Sequence, residues 1–288
     1  MNPHPFGPAL ALFMLAGFCL ASLDATAKYL VRDHSLLLVV WARYVGQMLV
    51  VTPFAWHRMG PNFWRTGKLG LQLLRSALLL AATVCFFAAL RFLPLAEASA
   101  ITYLAPMFIV LLSRPMLGER PGRARYIATA VGFLGVLILL RPGSSVLHPA
   151  AILLIGMALS NALFQLLTRK LMDESAHTTL FYSGLVGAAG LSLALPSVWD
   201  ASLLNLREAI FLAILGLTAG LGHWLIISAY RLAPASLLTP FTYLQITWAT
   251  MYGFVVFGQL PDGWSFVGMA IIVCSGLLLA LQERRRRL

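Results

Sequence analysis

An aspartate and a lysine one helical turn apart, Asp24 and Lys28, lie inside one apolar run, and Arg43 lies inside the next. Charge in hydrocarbon is expensive, so each such group calls for a partner or a task. The connection between the two runs turns near residues 33 and 34, so positions whose numbers sum to about 67 share a depth. Asp24 and Arg43 satisfy that relation. The expectation is an ion pair in the outer half of the membrane that either pins the first hairpin or acts as a gate. Lys28 follows Asp24 in the favourable acid-first order.

A second group is polar but uncharged, and suits solute binding better than bond chemistry. Asn161 and Gln165 share one helical face; Ser99, Tyr103 and Pro106 share another. His223 lies on a face with Gly216 and Gly220, beside Trp224, and glycines let a neighbour approach closely. Gln245 and Trp248 lie on an aromatic stripe with Phe241 and Tyr252. The expected substrate-binding set is therefore Ser99, Tyr103, Asn161, Gln165, His223, Trp224, Gln245 and Trp248. Hydrogen-bonding groups alternating with aromatics suit a neutral or zwitterionic solute with an apolar part. A phosphate carrier should instead show basic residues at mid-depth in several runs. Arg75 lies nearer the cytoplasmic boundary, from which a long side chain can snorkel. Glu97 lies near the outer surface and is expected to be solvated or to cap its helix.

The elements that position these groups follow from composition. Of 288 residues, 60% are hydrophobic and 11% charged, against roughly 25% charged in a soluble domain. Apolar runs fall at 8–31, 36–56, 69–92, 95–113, 124–140, 150–168, 179–198, 209–230, 235–258 and 264–281, and each approaches the length that crosses a bilayer as a helix. Between them stand Pro61, Pro94, Pro121, Pro142, Pro234 and Pro261. This predicts an all-α polytopic membrane protein with ten transmembrane helices.

The net charge of +11 is a matter of topology and not of nucleic-acid binding. Fourteen Lys and Arg residues occupy one set of alternate loops, including Arg284 to Arg287. The other set holds four: Arg32, Arg91, Arg141 and Arg207. The positive-inside bias puts both termini in the cytoplasm, as an even span count requires. The terminal arginine run reads as an anchor on anionic membrane lipid. Cys19, Cys85 and Cys274 lie in separate apolar runs, without the spacing of a disulfide or metal site. The chain has no HExxH, GxSxG or P-loop motif, so the expectation is no catalytic residues, no metal, no cofactor and no enzyme activity. Nothing in the pattern requires an oligomer.

Displaced by 140 positions, the chain matches itself. ALRFLPLAEASAITYL (89–104) falls on AYRLAPASLLTPFTYL (229–244), pairing Arg91 with Arg231, Pro94 with Pro234 and Tyr103 with Tyr243; beyond it Gly118 pairs with Gly258. Five runs per copy make the copies enter the membrane from opposite faces, so the repeats, 1–145 and 146–288, are inverted. Inverted repeats are a transporter architecture with a midplane site.

The segment PLAEASAITYLAPMFIVLLSRPMLGERPGRARYIATAVGFLGVLILLRPG (94–143) resembles the repeat of EamA-type transporters in the drug/metabolite transporter superfamily. Its marks are Pro106, Gly118-Glu119-Arg120 and the Gly132/Gly135 run. The second copy carries Pro240, Tyr243, Phe257-Gly258, Pro261-Asp262 and Ser275-Gly276, and departs at Gln259 where the first has Glu119. The resemblance implies a ten-helix inner-membrane carrier working by alternating access, with amino-acid exporters of the YddG type among its relatives. Export of amino acids, aromatic or large neutral, is the leading expectation. The alternatives are export of drug-like cations or other metabolites, or a channel-like or sensory membrane protein.

Overall fold

A computed structural model describes residues 6–118, 122–141, 150–197, 205–233 and 238–285. Glu119, Arg120, Pro121, Pro142, Gly143, Pro234, Arg286 and Arg287, invoked above, lie outside the described residues. Within the described residues the structure is helical throughout. The rods are α1 Phe6–Leu30, α2 Leu36–Met59, α3 Leu69–Leu90, α4 Leu95–Leu117, α5 Arg123–Leu140 and α6 Ala151–Lys170. They continue as α7 Ala176–Ala194, α8 Leu206–Leu232, α9 Leu244–Phe257 and α10 Gly263–Arg285. Seven of them, α1 to α6 and α8, are long and apolar enough to cross a membrane. Helices are the form such a chain must take, because lipid satisfies no backbone polar group.

Local chemistry sets the ends and breaks. A tight 3₁₀ turn, Thr102–Leu104, interrupts α4 just before Pro106, whose missing N–H deprives the preceding turn of its helical hydrogen bond. A matching 3₁₀ turn, Thr239–Tyr243, leads into α9. Gly118 closes α4 and Gly258 closes α9, with φ of 70° and 64°, a left-handed conformation that side chains resist. Both glycines are the positions paired by the 140-residue displacement. Asn205 and Glu208 form a reciprocal capping box at the start of α8, with both hydrogen bonds at 3.0 Å.

The packing exchanges partners between the two halves. Helix α1 packs on α8 and α9, while α6 packs on α3 and α4; α2 meets α7, and α5 meets α10. Where α2 crosses α8, Gly46 and Gly216 bring the backbones so close that a Cβ on either would strike the other chain. Small residues are how membrane helices gain contact, since lipid offers no hydrophobic contrast.

Two sets of helix ends are tied by polar contacts. At one end Arg91 donates to the carbonyls of Val31 (2.6 Å) and His34 (2.8 Å), and His34 meets Glu208 at 3.5 Å. Arg141 pairs with Asp262, and Ser265 donates to Glu97 at 2.9 Å. Glu97 is thus held by α10 and does not stand free in solvent. At the other end Lys68 pairs with Asp173 at 2.6 Å, and Tyr182 donates to the Trp64 carbonyl at 2.9 Å.

Candidate functional site

A cavity of about 570 Å³ lies between the two halves. It is walled by Asp24 of α1, Arg43 of α2, Thr83, Phe86 and Phe87 of α3, and Ser99, Tyr103 and Pro106 of α4. The other half supplies Asn161 and Gln165 of α6, Tyr230 of α8, Thr242, Tyr243 and Gln245. Its size is that of a small-molecule site. Tyr103 and Tyr243, equivalent positions of the two copies, stack on each other with centroids 4.8 Å apart and planes 20° apart. The Tyr103 hydroxyl donates to the Thr242 carbonyl at 2.7 Å. The two 3₁₀ turns deliver this pair, so the same backbone device is used once from each side.

Five of the eight expected binding residues meet here: Ser99, Tyr103, Asn161, Gln165 and Gln245. Ser99 is buried and its hydroxyl has no hydrogen-bond partner. Gln165 donates to Asn161 at 3.5 Å, and Gln245 donates to the Asp24 carboxylate at 3.3 Å. Trp248 lies elsewhere, in a side cavity of about 410 Å³ that shares Asn161, Gln165, Tyr230 and Gln245 with the central one. Its ring meets Phe18 edge-on at 5.4 Å, and its N–H has no partner.

Two expected residues line neither cavity. His223 turns back along its own helix and donates through Nδ1 to the Ala219 carbonyl at 2.8 Å. Trp224 packs edge-on against Phe54, with centroids 6.1 Å apart. Helical spacing put His223 on the face of Gly216 and Gly220, but α2 lies against those glycines through Gly46 and Val50. The histidine therefore satisfies itself locally.

The expected ion pair is also corrected. Asp24 and Arg43 line one cavity, yet no contact within 4.0 Å joins them. Each side chain faces the cavity and not the other. Lys28 faces away from both, donating to the carbonyls of Leu90 (3.0 Å) and Leu93 (2.5 Å) at the end of α3. Arg75 does not snorkel: it is buried, and donates to Thr168 (2.6 Å), the Thr179 carbonyl (3.1 Å) and Ser183 (2.7 Å). Phe86 and Phe87 join the wall without having been singled out, and Tyr230 and Tyr243 without having been assigned to binding; for Tyr243, its repeat relation to Tyr103 was the available signal.

The arrangement can hold a mid-sized solute between aromatic faces and amides. Two stretches of the chain, 7–141 and 148–281, match the model of the EamA-like transporter family. The chain belongs to that family. EamA-like relatives extend over nearly the whole length. An S-adenosylmethionine uptake transporter of Rickettsia bellii is 27% identical, over 95% of this chain and 93% of its own. A riboflavin transporter of Vibrio cholerae is 29% identical, over 98% and 96%. A riboflavin transporter of Rhizobium johnstonii is 31% identical, over 96% and 92%. A solved crystal structure with 20% identity superposes with a TM-score of 0.68, covering 96% of this chain and 98% of that one, which speaks for the fold alone. The chain is thus a multi-pass membrane transporter of the EamA-like family, and its named relatives move small metabolites.

Proposed function

We propose that the protein carries a small neutral or zwitterionic metabolite with an apolar part across the bacterial inner membrane, by alternating access around the central cavity. Amino acids with aromatic or large neutral side chains are the leading members of this class. Riboflavin, for which two of the relatives are named, is an uncharged aromatic ring system and belongs to it too, whereas S-adenosylmethionine adds a sulfonium charge to its zwitterionic head group and falls outside it. In this reading ten spans form two inverted five-helix repeats, 1–145 and 146–288, with both termini cytoplasmic. The single observation that carries it is the stacked Tyr103–Tyr243 pair on a cavity walled by both halves. A site built at the repeat boundary is one that rocking of the halves can expose to each side in turn. Apolar contact with the aromatic wall contributes roughly 1.5–3 kcal/mol per well-buried side chain, and the amides orient the solute. Net direction follows the solute gradient, so both the export expected of amino acids and the uptake named for the Rickettsia relative are compatible with one carrier.

The test is uptake by the purified full chain in liposomes, with L-tryptophan, S-adenosylmethionine, riboflavin and glucose as separate solutes. Saturable uptake of L-tryptophan or riboflavin, with glucose at the level of empty liposomes, is expected. Uptake of all four at the empty-liposome rate would overturn the reading.

A further inference from the structure

We infer that Arg43 and Asp24 are the two ends of a head-group site for an α-amino-acid zwitterion, the carboxylate seated on the Arg43 guanidinium and the ammonium on the Asp24 carboxylate. This rests on the carrier reading and narrows its substrate class. Arg43 is 6% exposed and lines the cavity, yet its guanidinium makes no hydrogen bond or ion pair with a described residue. Its one charge contact is the face of Tyr44, 4.4 Å from the ring centroid. A guanidinium with a buried, unpartnered N–H group carries a penalty that a ligand in the cavity offsets.

The anchor is mounted rigidly. Tyr44 is fully buried, its hydroxyl shares a hydrogen bond with Thr83 at 3.0 Å, and its ring fills the space over Gly187. Asp24 is equally prepared: the Gln245 amide holds one carboxylate oxygen, and the other takes no hydrogen bond from a described residue. Asp24 and Arg43 are the charged residues of the cavity wall, so the wall carries one negative and one positive charge. The two stand more than 4.0 Å apart. An α-amino acid bears its ammonium and carboxylate on a single carbon, so one head group offers each wall charge an opposite partner. A neutral or singly charged solute leaves at least one of them bare.

The test is calorimetric titration of the detergent-solubilised full chain with three solutes sharing one ring: L-tryptophan, tryptophanamide and indole-3-propionate. Charge-assisted hydrogen bonds predict that tryptophan binds about ten- to a hundredfold more tightly than either analogue. Arg43→Gln should collapse the preference over the amide to near unity while keeping the preference over indole-3-propionate. Asp24→Asn should do the converse. Arg43→Gln should also melt at or above the wild-type temperature, because it removes an unpaired buried charge. A variant that unfolds instead would mark Arg43 as a structural residue and overturn the inference. So would wild-type protein without the twofold preference pattern, or folded variants that keep both preferences. Riboflavin separates the two levels: wild type that transports riboflavin but ignores the head group leaves the carrier standing and removes the zwitterion site. Protein that neither binds nor transports any of these solutes removes both.

Discussion

Arg43 and Arg75 are alike in everything but their surroundings. Arg43 lies seven residues into α2 and Arg75 six residues into α3, so they sit about 10 Å from opposite ends of the bundle. Each is 6% exposed, and each guanidinium rests on an aromatic face, Tyr44 at 4.4 Å and Phe164 at 4.2 Å. Arg75 then spends its N–H groups on Thr168, the Thr179 carbonyl and Ser183, tying α3 to α6 and α7. Arg43 makes no such bond and faces the cavity. The 140-residue displacement adds a detail: the position of Arg43 in the first copy is Ser183 in the second, one of the partners of Arg75. One copy uses this place to hold helices together, and the other leaves it open to a solute.

The largest expected effect separates the two arginines directly. Arg75→Gln should destabilise the protein by roughly 2–4 kcal/mol, since several buried hydrogen bonds to a charge are lost at once. Arg43→Gln should not lower stability at all. Thermal denaturation in detergent measures both, and equal losses would erase the distinction. Ser183→Ala should come next, at about 1.5 kcal/mol, because it removes one hydrogen bond to the Arg75 guanidinium. Thr83→Val follows, at about 1 kcal/mol, because the Tyr44 hydroxyl loses its partner while its ring still supports Arg43.

The smallest effect lies at the surface, where an ion pair is screened by water. Arg141 holds the Asp262 carboxyl down to about 2, from an ordinary value of 3.8. A depressed folded-state value means the contribution is complete above about pH 4 and is lost as pH falls toward 2. Because the pair is exposed, the loss should be only a few tenths of a kcal/mol, and Asp262→Asn should flatten that part of the acid profile. A steep loss at Asp262 would put a surface pair on the scale of Arg75.

Much of the scaffold was legible in the residues. The run expected at 69–92 is α3 at Leu69–Leu90, and that at 124–140 is α5 at Arg123–Leu140, because apolar length and a proline or glycine break are both local signals. The displacement by 140 also paired Tyr103 with Tyr243 and Gly118 with Gly258, the positions at which the structure has its 3₁₀ turns and left-handed glycines, though the pairing alone names neither device. What spacing leaves open is rotation about the helix axis and the identity of the neighbour. Asp24 and Arg43 reach one cavity, yet no ion pair within 4.0 Å joins them. His223 shares its helix face with Gly216 and Gly220, but α2 lies against those glycines, and the ring bonds to the Ala219 carbonyl instead. Arg75 looked like a residue that reaches for the surface, because its three partners come from helices roughly a hundred residues away.

The most direct test of the account is counter-exchange. Liposomes holding the wild-type chain are preloaded with unlabelled L-tryptophan, and initial uptake of labelled L-tryptophan is compared with that of empty-loaded liposomes. A carrier whose cavity faces one side at a time should return faster when loaded, so preloading should raise the initial rate several-fold and the rate should saturate with concentration. A rate that is indifferent to preloading and linear in concentration would contradict alternating access and describe an open pore.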